Sequence, residues 1–354
     1  MSTAVSRDKL AHEWAEMRTD KRGIRIRDAA DHLGCSEAEL LLSAEQSPDL
    51  FPDLNVALLD GEAAELFELT PRFGHVMALT RNDAVVSETY GSYADIERHG
   101  NGALVHTEGI DLRTDFSHWH HAFAVESKRG DHSLLGLQFF DADGTAVHKV
   151  YLTDRSPREA FFDARERFAA GAQVQPAFTA APPSVDAAGA DTVDRKALRA
   201  GWRGLTNVHG FTGLLKSLGV RRLAAVRQIG PEFATRVSTT GYRDLLEAAR
   251  DAGIPIMVFV RSRGCTQIHS GPIEKLMESG EYFNIFDPEF HLHIREPRLA
   301  EAWIVKKPTK EDIVTALEFY GPGGELCLQI FGVRDKEGKE SPAWRHCVES
   351  VPAV

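Results

Sequence analysis

The sequence predicts an α+β fold of two tandem repeated halves, each running from helices into a large antiparallel β-sheet. Three observations carry this. The chain resembles itself at a fixed offset: "VMALTRNDAVVSETYGS" (76–92) aligns with "IMVFVRSRGCTQIHSGP" (256–272), setting Met77 against Met257, Arg81 against Arg261 and Gly91 against Gly271, each pair 180 apart. The same offset returns in "GLQFFDADGTAVHKVYL" (136–152) and "ALEFYGPGGELCLQIFG" (316–332), which pair Phe139 with Phe319 and Gly144 with Gly324. Finally, between the copies lies "AGAQVQPAFTAAPPSVDAAGADTVD", rich in Ala and Pro and without an apolar period, as a linker would be. The expected organisation is a first half over 1–172, a linker over 173–195 and a second half over 196–354.

Each element follows from local chemistry. The first half opens on the amphipathic "LAHEWAEMR", whose Trp14 stands opposite Trp202 of "ALRAGWRGL", 188 apart because loop lengths differ. "IRIRDAADHLGCSEAELLLS" comes next, two short helices around a turn at "LGCS", with the outline of a helix-turn-helix; helical pairs of this kind are also common structural units. Alternating apolar and polar stretches broken by turn signals such as "DADG" and "GPGG" then read as antiparallel strands. In the second half "TNVHGFTGLLKSLG" (206–219) reads as a helix with Thr206 or Asn207 as cap, Phe211, Leu214, Leu215 and Leu218 on one face, and Gly219 as stop. His209 and Gly210 fit that pattern poorly, since helices disfavour glycine. An imidazole beside a missing Cβ leaves room for a flat ligand. Duplicated halves often leave a ligand cleft where they pack, here expected to be associated with the second half.

Composition narrows the function. Lys plus Arg number 41 against 52 Asp plus Glu, a formal charge of −11, which argues against broad nucleic-acid binding but not against a local cationic pocket. Apolar runs such as "IPIMVFV" are too short to span a bilayer, and the opening lacks a signal-peptide core, so the expected location is the cytoplasm. Cys35, Cys265, Cys327 and Cys347 have no metal or disulfide spacing. In "SHWHHAF" His118 and His120 share a strand face, as do His291 and His293 in "DPEFHLHIRE", but no carboxylate or cysteine stands at a matching spacing, and both read as structural. P-loop, G-x-S-x-G, H-E-x-x-H and dinucleotide signatures are absent.

The motifs "RDAADHLGCSEAEL", "VMALTRN", "DLR", "AVHKVYLT", "NVHGFTGLLK", "GIPIMVFV", "CTQIHSGPI", "YFNIFDPEFHLHI", "VKKPT" and "LQIFGVR", in that order and over nearly the whole chain, resemble the cytoplasmic heme-handling proteins of Gram-negative heme uptake, the HemS, HmuS, ChuS and PhuS group. The resemblance implies repeated α+β halves and a heme b ligand, held by His209 as axial ligand to iron and by Arg113 of "DLR" on the distal side. It implies propionate contacts from Arg222, Lys307, Gln329 and Arg334. Neutral imidazole suits iron, an arginine donates hydrogen bonds to a distal oxygen, and cations neutralise carboxylates. Asp115 and Thr212 stand where some members carry phenylalanines. The activity implied is oxidative heme degradation after import, with Arg113 as the catalytic residue and oxygen or peroxide and an external electron donor as co-reactants. The alternative is a heme chaperone supplying a separate heme oxygenase, and a weaker one a heme-responsive DNA-binding regulator. The implied partners are a heme importer, a reductase or a heme oxygenase, and a homodimer is compatible with the resemblance.

Overall fold

The computed structural model describes residues 7–21, 23–129, 132–171, 174–180 and 189–354; the expected linker, 173–195, falls partly outside them. The first half runs α1 (Arg7–Asp20), α2 (Ile26–Leu33), α3 (Glu37–Gln46), β1 (Leu54–Leu59), α4 (Ala63–Phe67), then β2 (His75–Arg81), β3 (Val85–Ser92), β4 (Glu97–His99), β5 (Gly102–His106), β6 (Asp111–Thr114), β7 (His121–Arg129), β8 (His132–Phe140), β9 (Ala146–Leu152) and α5 (Arg158–Phe168). The second half repeats this element for element: α6 (Arg195–Arg203), α7 (Gly210–Leu218), α8 (Arg222–Ile229), β10 (Ala234–Val237), α9 (Tyr242–Asp251), β11 (Ile256–Arg261), β12 (Cys265–Gly271), β13 (Leu276–Ser279), β14 (Tyr282–Asp287), β15 (Phe290–Arg295), β16 (Glu301–Pro308), β17 (Ile313–Tyr320), β18 (Leu326–Gly332) and α10 (Pro342–Glu349). The α+β duplication expected from the sequence is therefore present, with β9 and β18 offset by the same 180 residues.

The strands form two nine-stranded sheets, ordered β1-β7-β8-β9-β2-β3-β15-β14-β13 and β10-β16-β17-β18-β11-β12-β6-β5-β4. Long antiparallel registers hold them, such as His121↔Phe140 through Arg129↔His132 in the first half and Glu301↔Tyr320 through Pro308↔Ile313 in the second. The compact units differ from the sequence halves in one respect. Residues 81–88 of the first half belong to the second unit, and residues 262–266 of the second half belong to the first. Asn82 fastens its segment by donating to the carbonyls of Arg261 (3.0 Å) and Cys327 (2.8 Å). In the other unit the Gly264 carbonyl accepts from the Asp115 amide and the Trp119 indole, both at 2.9 Å.

Within each unit strand residues alternate between two cores. In β7 Phe123 and Val125 face α1–α3, whereas Ala122 and Ala124 face the opposite core. In the second unit Ala302 and Ile304 of β16 enter the core containing α9 and α10, while Val305 turns to the core of α6, α7 and α8 with Trp202, Phe211 and Tyr320. Burial on both faces explains why β17 is apolar almost without interruption. α3, which would be the recognition helix of a helix-turn-helix, has Glu37, Ala38, Leu40, Leu41, Leu42, Ser43 and Ala44 buried. It has no free face for a DNA groove, so the helical pair is a packing unit of the first half.

Candidate functional site

α7 is set by its two ends. Gly219 takes the left-handed conformation at φ 60° and closes the helix, a position that favours glycine. At the other end the Asn207 side-chain oxygen Oδ1 accepts the Gly210 amide at 3.0 Å, so Asn207 rather than Thr206 supplies the capping bond. His209 is thereby left at the N-cap position with no capping bond of its own. Its side chain is exposed, as are Gly210, Thr212, Gly213 and Lys216. His209, Thr212, Gly213 and Lys216 are spaced as one helix face. A Cβ on Gly213 would meet nothing within 4 Å, so a glycine lies one turn from the imidazole with open space beyond it. Sequence reading singled out Gly210 but missed Gly213 and Lys216; their signal was the i+4 and i+7 spacing from His209.

The opposite face is fixed from below. Phe211, 2% exposed, packs edge-on against Trp202 at 4.6 Å between ring centroids. The Arg222 guanidinium and Lys307 ammonium lie over the same phenyl ring at 4.9 and 4.7 Å. Both cations converge on Glu318, which is fully buried. Its carboxylate accepts from Arg222 Nε (3.2 Å) and Nη2 (2.9 Å), Lys307 Nζ (2.5 Å), Gln329 Nε2 (2.8 Å) and the Tyr320 hydroxyl (2.6 Å). Burial alone would raise the Glu318 carboxyl, yet Arg222 and Lys307 hold it well below the usual carboxylate range. Burial pushes the Lys307 ammonium down to about 8 against the pull of Glu318.

The structure thus brings together three of the residues expected at the propionates, Arg222, Lys307 and Gln329, but around an internal anion and at 3–4% exposure. They hold α7 through Phe211. Arg334 is not part of this group: it is exposed and its backbone bridges to Glu340. Arg113 lies on β6 of the first unit, opposite Leu104. Its guanidinium pairs with Asp111 two residues before it and remains 45% exposed, so "DLR" carries its own orienting carboxylate. Asp115 is occupied locally, accepting the Ser117 amide at 3.1 Å and hydroxyl at 2.6 Å.

The pair His118 and His120 does find a carboxylate, which sequence spacing did not offer. Asp141 lies 3.2 Å from His118 Nδ1 and 3.4 Å from His120 Nδ1. The Arg263 guanidinium shares the same carboxylate at 3.4 Å, so a cation already stands there and the structural reading holds.

Among the described residues no helix is long and apolar enough to cross a membrane. The Haemin-degrading HemS.ChuX domain matches twice, over 34–168 and 219–351, so His209 falls in the stretch between the two copies. Across 95% of both chains the sequence is 33% identical to the hemin transport protein HmuS of Yersinia pestis, and equally so to hemin transport protein HemS of Yersinia enterocolitica. Holo-PhuS, a heme-binding protein from Pseudomonas aeruginosa, superposes with a TM-score of 0.90 at 36% identity, covering 99% of this chain and 100% of that one. ChuS, an E. coli heme oxygenase, superposes at 0.84 with 28% identity, covering 97% and 99%. With two copies of its domain and a third of its residues shared along nearly the full length, the chain belongs to the HemS family.

Proposed function

We propose that this chain is a cytoplasmic heme-binding protein of a heme-uptake system, with heme b as its substrate and His209 as the axial ligand to iron. The observation that carries this reading is the exposed face of α7: an unengaged imidazole at the helix head, with Gly213 and open space one turn along. An imidazole is an ordinary axial ligand, and a flat macrocycle needs a face without protruding side chains. Lys216, at i+7 on that face, is an exposed cation that would meet a ligand carboxylate, and Arg334 is exposed as well. Arg222, Lys307 and Gln329 support the helix that presents His209. The relatives' names, spanning transport, binding and oxygenase activity, support heme as the ligand and leave its fate to be decided by experiment. His209→Ala is expected to change the absorption spectrum of the heme complex and weaken binding. An unchanged spectrum with unchanged affinity refutes the assignment.

For the fate of heme we infer oxidative degradation, with oxygen as oxidant, electrons from a separate reductase and Arg113 as the distal hydrogen-bond donor. The feature in its favour is the exposed guanidinium held by Asp111. The rival, delivery to a separate heme oxygenase, is favoured by the exposure of α7, which eases exchange. Single turnover of the heme complex with reductant, oxygen and catalase separates them. Degradation yields a discrete tetrapyrrole despite catalase, and Arg113→Ala lowers its yield more than heme affinity. Loss of heme that vanishes with catalase selects delivery.

A further inference from the structure

We propose that Glu88, His291 and His293 form a site for one divalent first-row transition-metal ion, separate from the heme ligand helix. Sequence spacing offered only the two histidines. The structure supplies the missing carboxylate from 203 residues away. Glu88 lies on β3, in the 81–88 segment that packs in the second unit, and both histidines lie on one face of β15, its neighbour in the sheet. Glu88 Oε2 is 3.1 Å from His291 Nδ1 and 3.9 Å from His293 Nε2. An ion at about 2.0–2.1 Å from two donors spans up to about 4 Å between them, so both separations suit one ion. The whole donor set, one atom from each residue, lies within 4.8 Å.

The hydrogen bonds around the trio say what kind of occupant it takes. Asn284, opposite His293 on β14, donates its amide to the Met277 carbonyl at 3.0 Å, so its oxygen is the group facing His293 Nδ1 at 2.8 Å. That oxygen only accepts, so Nδ1 carries a proton and Nε2 is the ring nitrogen that faces Glu88. A cation held by both Nε2 and the Glu88 carboxylate, 3.9 Å apart, would sit between them. The same arrangement, an outer acceptor fixing the tautomer of a ligating histidine, is how protein metal sites orient imidazoles. Phe286 walls the site at 5.0 and 5.2 Å from the two imidazoles, while side-chain exposures of 12–23% leave an entry path. Two imidazoles and one carboxylate favour zinc, iron, cobalt or nickel over magnesium or calcium, with the remaining positions open to water. A bound ion would also clip residues 81–88 to β15.

The test uses full-length heme-free protein titrated with Co(II), read by its visible ligand-field absorption, with Zn(II) as competitor. One equivalent is expected to bind and to be displaced by Zn(II). Glu88→Gln and His291→Asn should abolish the band with unchanged far-UV circular dichroism, and Asn284→Ala should weaken binding about 10–100-fold. Two variants on different strands guard against a folding failure of either. His209→Ala should keep the band, which makes the result independent of the heme assignment. The proposal is overturned if no band appears, if Glu88→Gln and His291→Asn bind as the parent does, or if only His209→Ala removes it.

Discussion

Glu318→Gln tests the buried charge cluster directly. The change keeps side-chain volume and removes the anion that Arg222 and Lys307 share, each 3–4% exposed, in a site that water does not reach. Removing one partner of a buried ion pair costs about 3–5 kcal/mol, because the stranded charge has lost its solvation on both sides. The glutamine oxygen still accepts, so the hydrogen bonds are only partly lost and the charge dominates. Lys307 supplies an internal check on sign. Its ammonium already titrates down at about 8, and without Glu318 it loses its proton lower still. The variant is then relieved below pH 7 of a charge that the parent keeps up to about 8. The difference in stability between the two should therefore shrink by about 1 kcal/mol from pH 7 to pH 9, as the parent sheds the same proton. Urea unfolding followed by tryptophan fluorescence reads both quantities, Trp202 lying in the core beside Phe211. A variant within about 1 kcal/mol of the parent at pH 7 would refute the cluster as a support of α7.

Gly213 offers a functional contrast on the same helix: Gly213→Ala should stabilise by about 0.5–1 kcal/mol, since a Cβ there meets nothing, whereas Gly213→Trp should fold normally and lose heme affinity. A tryptophan variant with parental heme titration would move the ligand off this face. Acid lability should come from histidines buried in neutral form. Burial lowers His148 to about 3 and His269 to about 4 from an ordinary 6.5. Both folded values are depressed, so their stability is complete above 6.5 and is lost as the unfolded chain takes up protons below it. Each should withdraw about 2 kcal/mol between pH 7 and pH 5. Parallel urea titrations of the parent, His148→Gln and His269→Gln should show each variant with a shallower loss over that window. Equal slopes would remove these groups as the cause.

The duplication was legible because strand registers constrain spacing: a one-residue slip would turn every side chain of β9 or β18 to the wrong face. Helix ends were legible for local reasons, Gly219 through its backbone and Asn207 through its side chain. The exchanged segments were not. Nothing near Asn82 announces that its amide will meet the carbonyls of Arg261 and Cys327 in the other half. Glu88 escaped for the same reason, as did the pairing of Arg222 and Lys307 with Glu318, which in "ALEFYG" reads as one polar residue in an apolar strand. Pairings across 96 or 203 residues leave no period to detect.

The two halves solve one packing problem with opposite signs. At the first position of the third helix the first half carries Glu37, buried and bound by Lys149 of β9 at 2.6 Å; the second half carries Arg222 at the equivalent place, bound to Glu318 of β17. Lys149 corresponds to Gln329, and Gln138 to Glu318, by the 180-residue offset. The backbone tolerates either polarity so long as each buried charge is paired. The electrostatic outcomes nevertheless differ. Glu37 is an anion at a helix N-terminus, which the helix dipole favours, and meets one cation. Arg222 is a cation at such an end, and both it and Lys307 are bonded to Glu318; Arg261 adds a further positive charge acting on Lys307. The second half therefore places Arg222 and Lys307, both bonded to Glu318, beneath Phe211, in a medium that screens charge poorly. The cations expected at the propionates are bonded to Glu318 in this structure. In the first half α2, which precedes Glu37, has Arg25 at its head in place of His209, a side chain with no lone pair to offer iron. The proposed axial ligand therefore has no counterpart in the first half.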